Sequence, residues 1–162
     1  DEEGGRLAAR RFVEKGCTSS VYVSVGTASC AYDRFMGFKK ELESAGAKTP
    51  RILDSMDCFE ENFSALFENS ETVPDSFFCF SDMVAFDVIY RLEKMGIKNA
   101  QVIGFDDIQK EVRIPKRLIS VGTDKRAMAQ RAVNVLVSRI EEGRGPRVSD
   151  MFGVYLNGDI LS

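Results

Sequence analysis

At 162 residues, with 44% hydrophobic and 29% charged side chains and a net charge of -3, the chain fits one ordinary domain or two small lobes sharing an interface. No apolar run approaches the roughly 18 residues of a membrane helix, and the acidic balance disfavours a nucleic-acid surface in this region. Four cysteines without a CxxC, and no histidine at all, argue against a zinc knot, a His-dependent triad or an obligatory disulfide framework.

A start at Asp1-Glu2-Glu3, with neither an initiator Met nor a basic-then-apolar leader, reads as a fragment or a processed chain. Leu7, Ala8, Phe12 and Val13 predict a first helix ending near Gly16. Its Arg6, Arg10 and Arg11, set among Glu2, Glu3 and Glu14, form a solvated face. Val21 to Val25 is the first strand, closed by Gly26. Phe35, Phe38, Leu42 and Ala45 then give a helical stripe up to Gly46. Arg51 to Asp54 is a short strand, and Phe59, Phe63, Leu66 and Phe67 mark a third helix. Ser76 to Phe80 is a buried strand passing directly into a helix lined by Ala85, Val88, Ile89, Leu92 and Met95, with Gly96 closing it. Gln101 to Phe105 is a further strand. After the polar, basic stretch around Pro115 come an extended segment from Leu118 to Val121, a long helix from Lys125 to Glu142, and a tail strand near residues 151–156. The alternation αβαβαβαβ, then β, a long helix and β, specifies an α/β fold: a mostly parallel sheet with helices on both faces, since parallel strands need crossover helices. The break in rhythm between Asp107 and Leu118 marks a crossing between lobes.

Ligands of such sheets bind beyond the carboxyl ends of strands, which singles out the polar residues there. Ser81 or Asp82 would cap the helix starting at Met83, alone or while also presenting a polar group to a ligand. Asp106 and Asp107 follow the last strand of the alternating series; their alternatives are paired hydroxyls of a sugar, a divalent cation with phosphate, or a turn that uses Asp for its own backbone. Arg34, near the start of the second helix, gains nothing from the helix dipole, so a specific acceptor accounts for it better than solvation beside Asp33 or Glu41. Cys58 and Phe59 lie beyond another strand end, where the ring could stack on a sugar or fill the core. Cys79 is a buried small hydrophobe. Neither Gly4-Gly5 nor Gly143-Arg144-Gly145 forms a phosphate loop, and no activated nucleophile accompanies the acidic residues.

Four strings, in order, carry a resemblance: Asp1-x-x-Gly4-Gly5-x-x-Ala8, Arg34-x-x-Gly37-Phe38, Ser81-Asp82-Met83-x-Ala85 and Gly104-Phe105-Asp106-Asp107. Through them, from residue 1 to about 145, the chain resembles the effector-binding region of the LacI/GalR family of bacterial transcriptional regulators. The resemblance implies a periplasmic-binding-protein-like fold of two α/β lobes. Residues 1–112 would form the C-terminal lobe, and residues 113–162 an interlobe crossover, a long helix and a terminal strand belonging to the other lobe. It also implies a non-enzymatic cytoplasmic repressor without cofactor or metal, acting as a homodimer on operator DNA through an absent N-terminal helix-turn-helix domain, away from any membrane. By position, Arg34 resembles the family's effector-clamping arginine and Asp106 its hydroxyl-binding aspartate. Ser81 and Cys30 match pocket positions and Asp82 a helix cap; beside them the residues themselves add Phe59 as a candidate effector contact, and Asp107, with Asp82, as a helix cap or pocket support. The family's Pro-x-Leu-Thr-Thr run appears altered as Pro115-Lys116-Arg117-Leu118-Ile119-Ser120, and Phe63 stands where the family often has glycine. Two rivals accompany this reading: an extracytoplasmic sugar receptor of a transporter, and a Mg²⁺-dependent enzyme or phospho-acceptor built on Asp106 and Asp107.

Overall fold

The computed structural model describes residues 1–108, 118–142 and 154–157. Eleven elements follow one another there: α1 (Glu2–Glu14), β1 (Ser20–Ser24), α2 (Ser29–Ser44), β2 (Arg51–Asp54), α3 (Phe59–Ala65), β3 (Ser76–Cys79), α4 (Asp82–Lys94), β4 (Gln101–Phe105), β5 (Ile119–Thr123), α5 (Lys125–Glu142) and β6 (Val154–Asn157). The order is the one the hydrophobic periodicity predicts. Helix α1 begins well before its first bulky apolar residue, because the residues it buries in its opening turn are Gly4 and Gly5, which carry no hydropathy signal.

The strands form one six-stranded sheet in the order β2-β1-β3-β4-β5-β6. β1 pairs in parallel with both β2 and β3, β3 with β4, and β4 with β5. The chain leaves β1 outward to β2 and returns past it to β3. This reversal opens a crevice beyond the carboxyl ends of β1 and β3, where α/β sheets take their ligands.

Alternation along the strands divides the core between the two faces. Tyr22 and Phe78 point to the face covered by α1 and α2, where Phe38 lies 5.1 Å from Phe78 and 5.8 Å from Phe12 between ring centroids. Val21, Val23, Phe77 and Cys79 point to the opposite face, packing with Phe59, Phe63, Ala85, Val88 and Leu92 of α3 and α4. The three-layer α/β/α arrangement is therefore the expected one.

The strands after residue 112 differ from the expectation. β5, expected as part of the interlobe crossover, and β6, expected as a terminal strand of the other lobe, extend this same sheet: Ile103, Gly104 and Phe105 stand in register with Ile119, Ser120 and Val121. Register of this kind is set by non-local pairing, which periodicity cannot reveal. The chain divides into two units, residues 1–122 with the return from Tyr155, and residues 123–154. The second unit consists chiefly of α5. The basic stretch around Pro115, the Gly143-Arg144-Gly145 string, the start of the expected tail strand at 151–153 and the C-terminal residues 158–162 lie outside the described residues.

Candidate functional site

Two glycines decide how α2 meets α1. A Cβ on Gly5 would run into the Arg34 carbonyl and stand 2.7 Å from the Phe38 nitrogen; one on Gly37 would strike the Glu2 carbonyl. The helices thus cross backbone against backbone. That crossing carries Asp1, the residue ahead of α1, to the Arg34 side chain, whose Nε donates to Asp1 Oδ1 at 2.9 Å.

Arg34 is only 8% exposed. One terminal nitrogen donates to the Phe80 carbonyl at 2.5 Å, at the end of β3, and the other lies 3.9 Å from Asp106 Oδ1, at the end of β4. The guanidinium carbon sits 3.5 Å from the Phe105 ring centroid and 4.7 Å from that of Phe80. Burial lowers its pKa, while Asp106 acts in the opposite direction. The group is a fixed, desolvated cation with its planar fork held at the strand ends. Together with the half-exposed Asp106 carboxylate it offers adjacent donors and acceptors, the pattern that polyhydroxylated ligands need.

The remaining expected residues separate into distinct roles. Ser81 is the N-cap of α4, accepting from the Val84 nitrogen at 3.4 Å, and it directly follows the carbonyl that holds Arg34. Asp82 is not the cap, which corrects that alternative. It occupies the first helical position with 1% exposure, and its carboxylate accepts from Ser120 Oγ and, at 2.8 Å, from the Ile108 nitrogen. Burial raises its pKa; those two hydrogen bonds oppose the shift, and the Asp106 and Asp107 charges add to it. Gly104 leaves the space this carboxylate fills, since a Cβ there would meet it.

Asp107 is also buried, at 2% exposure, and turned away from the crevice toward β5 and β6. Cys30 lies one turn before Arg34 on α2, half-buried and unbridged. Phe59 is not brought to the charged cleft. It is 9% exposed within the α3/α4 core, with Phe63 5.7 Å away and the Arg91 guanidinium 4.5 Å from its ring centroid, so packing outweighs a stacking role. Asp1, Phe80, Phe105, Ser120, Tyr155 and Asn157 are supporting residues to which the sequence alone assigned no such role, although Asp1 and Phe105 stand in the motif strings; the glycines at 5, 37, 104 and 122 were the available signal for close approach there.

A separate cavity of about 410 Å³ lies between β1, α2 and β2, lined by Tyr22, Ser24, Thr27, Ala31, Phe35 and Ile52 among others. Neither Arg34 nor Asp106 lines it, so this uncharged space and the charged cleft are distinct features. Among the described residues no three His, Cys, Asp or Glu side chains converge as a metal site, and no helix is long and apolar enough to cross a membrane.

Residues 9–152 match the family model described as a periplasmic binding protein-like domain. The chain belongs to this family. The periplasmic binding protein-like domain of this chain is also homologous to LacI/GalR-type regulators, as its sequence motifs imply. It is 28% identical over 150 residues to the HTH-type transcriptional repressor PurR of Vibrio atlanticus, and 30% identical over 153 residues to the PurR of Vibrio parahaemolyticus. Each alignment takes in 87% of this chain and 45% of the relative, so the chain spans under half the length of the curated relatives it matches. Among solved structures, a LacI family transcriptional regulator from Enterococcus faecium with bound ribose superposes with a TM-score of 0.80 at 19% identity, covering 97% of this chain and 61% of that one. A periplasmic binding protein/LacI transcriptional regulator from Alkaliphilus metalliredigens complexed with D-xylulofuranose gives 0.75 at 24% identity, with the same coverage of each chain. At these identities the two structures speak for the fold.

Proposed function

We propose that this chain is the ligand-binding part of a DNA-binding transcriptional regulator, most simply a repressor, whose effector is a sugar or a related small metabolite. Arg34 and Asp106 are its principal ligand contacts in this reading, with Ser81 and Cys30 as further candidate contacts, and no bond is made or broken. The observation that carries this reading is the juxtaposition of the buried Arg34 fork and the half-exposed Asp106 carboxylate, 3.9 Å apart, beyond the carboxyl ends of β3 and β4, one strand along from the β1/β3 reversal. The names of its relatives agree with it: PurR repressors in sequence, sugar-bound LacI-type regulators in fold.

In this reading a homodimer in the cytoplasm binds operator DNA through residues outside the chain, and effector binding shifts the balance between DNA-binding and released arrangements. The Mg²⁺ alternative fits the geometry poorly. Asp106 faces Arg34, whereas Asp107 accepts hydrogen bonds from Tyr155 and Asn157, so the two carboxylates do not share a cation site. The test is a calorimetric titration of the full-length protein with D-ribose, D-xylulose and cellobiose. The expected outcome is saturable binding of at least one sugar, weakened roughly tenfold to a hundredfold by Arg34→Ala or Asp106→Ala, the scale of a lost charge-assisted hydrogen bond. Equal affinity in the wild type and both variants would remove these residues from the site.

A further inference from the structure

The turn that follows β4 sends two consecutive carboxylates in opposite directions. Asp106 has a φ of 97° and Asp107 a φ of 49°, successive non-glycine residues in a region that side chains disfavour. Such a turn persists only where its surroundings hold it, and four of its hydrogen bonds come from β5 and β6. The Asp106 nitrogen donates to the Val121 carbonyl at 2.8 Å, and the Asp107 nitrogen to Ser120 Oγ at 3.0 Å. The Asp107 carboxylate accepts from the Tyr155 hydroxyl at 2.9 Å and from Asn157 Nδ2. Asn157 in turn takes the Ser120 nitrogen on its Oδ1 at 2.8 Å, and Ser120 Oγ donates to the buried Asp82. Gly122 is the residue that permits this: a Cβ there would press at 2.8 Å on both Asp107 Cβ and the Tyr155 ring.

We infer that Asp107 is the positioning residue of the cleft, and that Tyr155 and Asn157 of the returning strand β6 are part of the ligand site through it. Fastened to β5 and β6, Asp107 sets the left-handed turn, and the turn aims the Asp106 carboxylate at Arg34. A strand roughly fifty residues farther along the chain thereby determines the geometry of a contact it does not touch. Because binding free energies are reciprocal, a ligand that engages Asp106 in this turn also tightens β6 against the sheet. β5 and β6 are the strands by which the chain enters and leaves residues 123–154, so cleft occupancy is registered at both connections. The ligand half of this inference rests on the reading of Asp106 as an effector contact; the positioning half does not.

The test uses the Arg34 Nε–Hε NMR resonance of the ¹⁵N-labelled full chain. Arg34 lies over the Phe105 ring and beside Asp106, and its described contacts run to Asp1, Phe80, Phe105 and Asp106, not to β6. Tyr155→Phe, Asn157→Ala and Asp107→Asn should each displace that resonance in the direction Asp106→Asn displaces it, and raise its solvent exchange severalfold. The Arg10 resonance, whose Nε donates to Glu41 at 2.9 Å, should stay in place. Tyr155→Phe removes a single oxygen and keeps the experiment informative if a larger change unfolds the chain. An Arg34 resonance unmoved in Tyr155→Phe and Asp107→Asn, while β6 amides lose protection, would mean that Asp107 merely fastens β6, and would overturn the inference. If the resonance moves although none of D-ribose, D-xylulose and cellobiose binds the wild type, positioning stands and it is the sugar reading of the cleft that falls.

Discussion

Arg34 makes several contacts with one planar group, and that geometry distinguishes it from any other cation. Its fork reaches Asp1, the Phe80 carbonyl and the Asp106 side at once while its face covers Phe105. An ammonium is a point donor on a flexible stem and cannot span the three positions together. Arg34→Lys should therefore destabilise the chain by about 1.5–3 kcal/mol, the scale of hydrogen bonds to charged groups. Urea denaturation checks this, and an unchanged midpoint would show that the fork is dispensable to the fold. Asp82 gives a prediction of opposite character. Burial raises its pKa in the folded chain above the unfolded value, which for Asp is about 3.9. Between those two values the folded state holds the extra proton, so Asp82 makes stability fall as pH rises through that window; below it and above it the contribution is constant. Asp87, also raised by burial, acts in the same sense. Asp82→Asn keeps an acceptor for Ser120 and removes the charge. Relative to wild type the variant should thus gain ground as pH rises from the carboxylate range toward neutrality, in denaturation curves taken across that range. A relative stability that is flat or falls with pH would contradict the burial account.

Between α1 and α2 the governing fact is backbone contact, not side-chain packing. Gly37→Ala places a methyl against the Glu2 carbonyl, a neighbour with no rotamer in which to escape. We expect a cost of at least about 1–3 kcal/mol, typical of an overpacked core, together with loosening of Asp1 from Arg34. Denaturation gives the first, and the Arg34 resonance the second. Gly37 also shows how far the sequence can be read. The string Arg34-x-x-Gly37-Phe38 was visible as a motif, and the apolar spacing around it placed the helix; that the glycine exists to admit the backbone of α1 needed the crossing itself. The same divide recurs elsewhere. Ser81 and Asp82 were both legible as polar residues at a helix start, but capping depends on which of the two has extended backbone, and that is Ser81, at φ -144° and ψ 169°. Phe59 stood beyond a strand end as expected, yet the opposing Phe63 and Arg91 that commit it to the core come from positions no local pattern connects. Arg34 and Asp106, 72 positions apart in sequence, stood out separately, the one as a cation that gains nothing from a helix start and the other as a carboxylate at a strand end; that they come within 3.9 Å needed the fold. Asp107 was expected as a helix cap or pocket support, whereas its partners on β6 were out of reach because pairing beside β5 is a tertiary event.

For the whole molecule, α5 carries the clearest consequence. Val133, Leu136, Val137 and Ile140 follow one another at helical spacing, and they are 54%, 59%, 42% and 72% exposed. Val133, Leu136 and Ile140 thus leave more than half of their surface in water, the situation that drives association when such residues are contiguous. Charged residues interrupt the helix without covering this stripe: Arg131, Arg139 and Glu141 sit at other positions of the turn. The chain by itself should self-associate with rising concentration. Replacing Leu136 and Ile140 with Glu should shift it toward the monomer, because four apolar residues lose their two most exposed members and gain like charges. Light scattering coupled to size exclusion measures the mass directly. Association undiminished in the double variant would place the contact elsewhere, with the exposed Met83 and Tyr90 of α4, at 66% and 55%, as the next apolar positions to change. Monomeric wild type at all concentrations would mean that the stripe is too small or too well hydrated to bind its own copy. In either case, changes on α5 should leave the Arg34 resonance in place, since the contacts of Arg34 are with Asp1 ahead of α1, Phe80 after β3, Phe105 of β4 and the turn that follows β4.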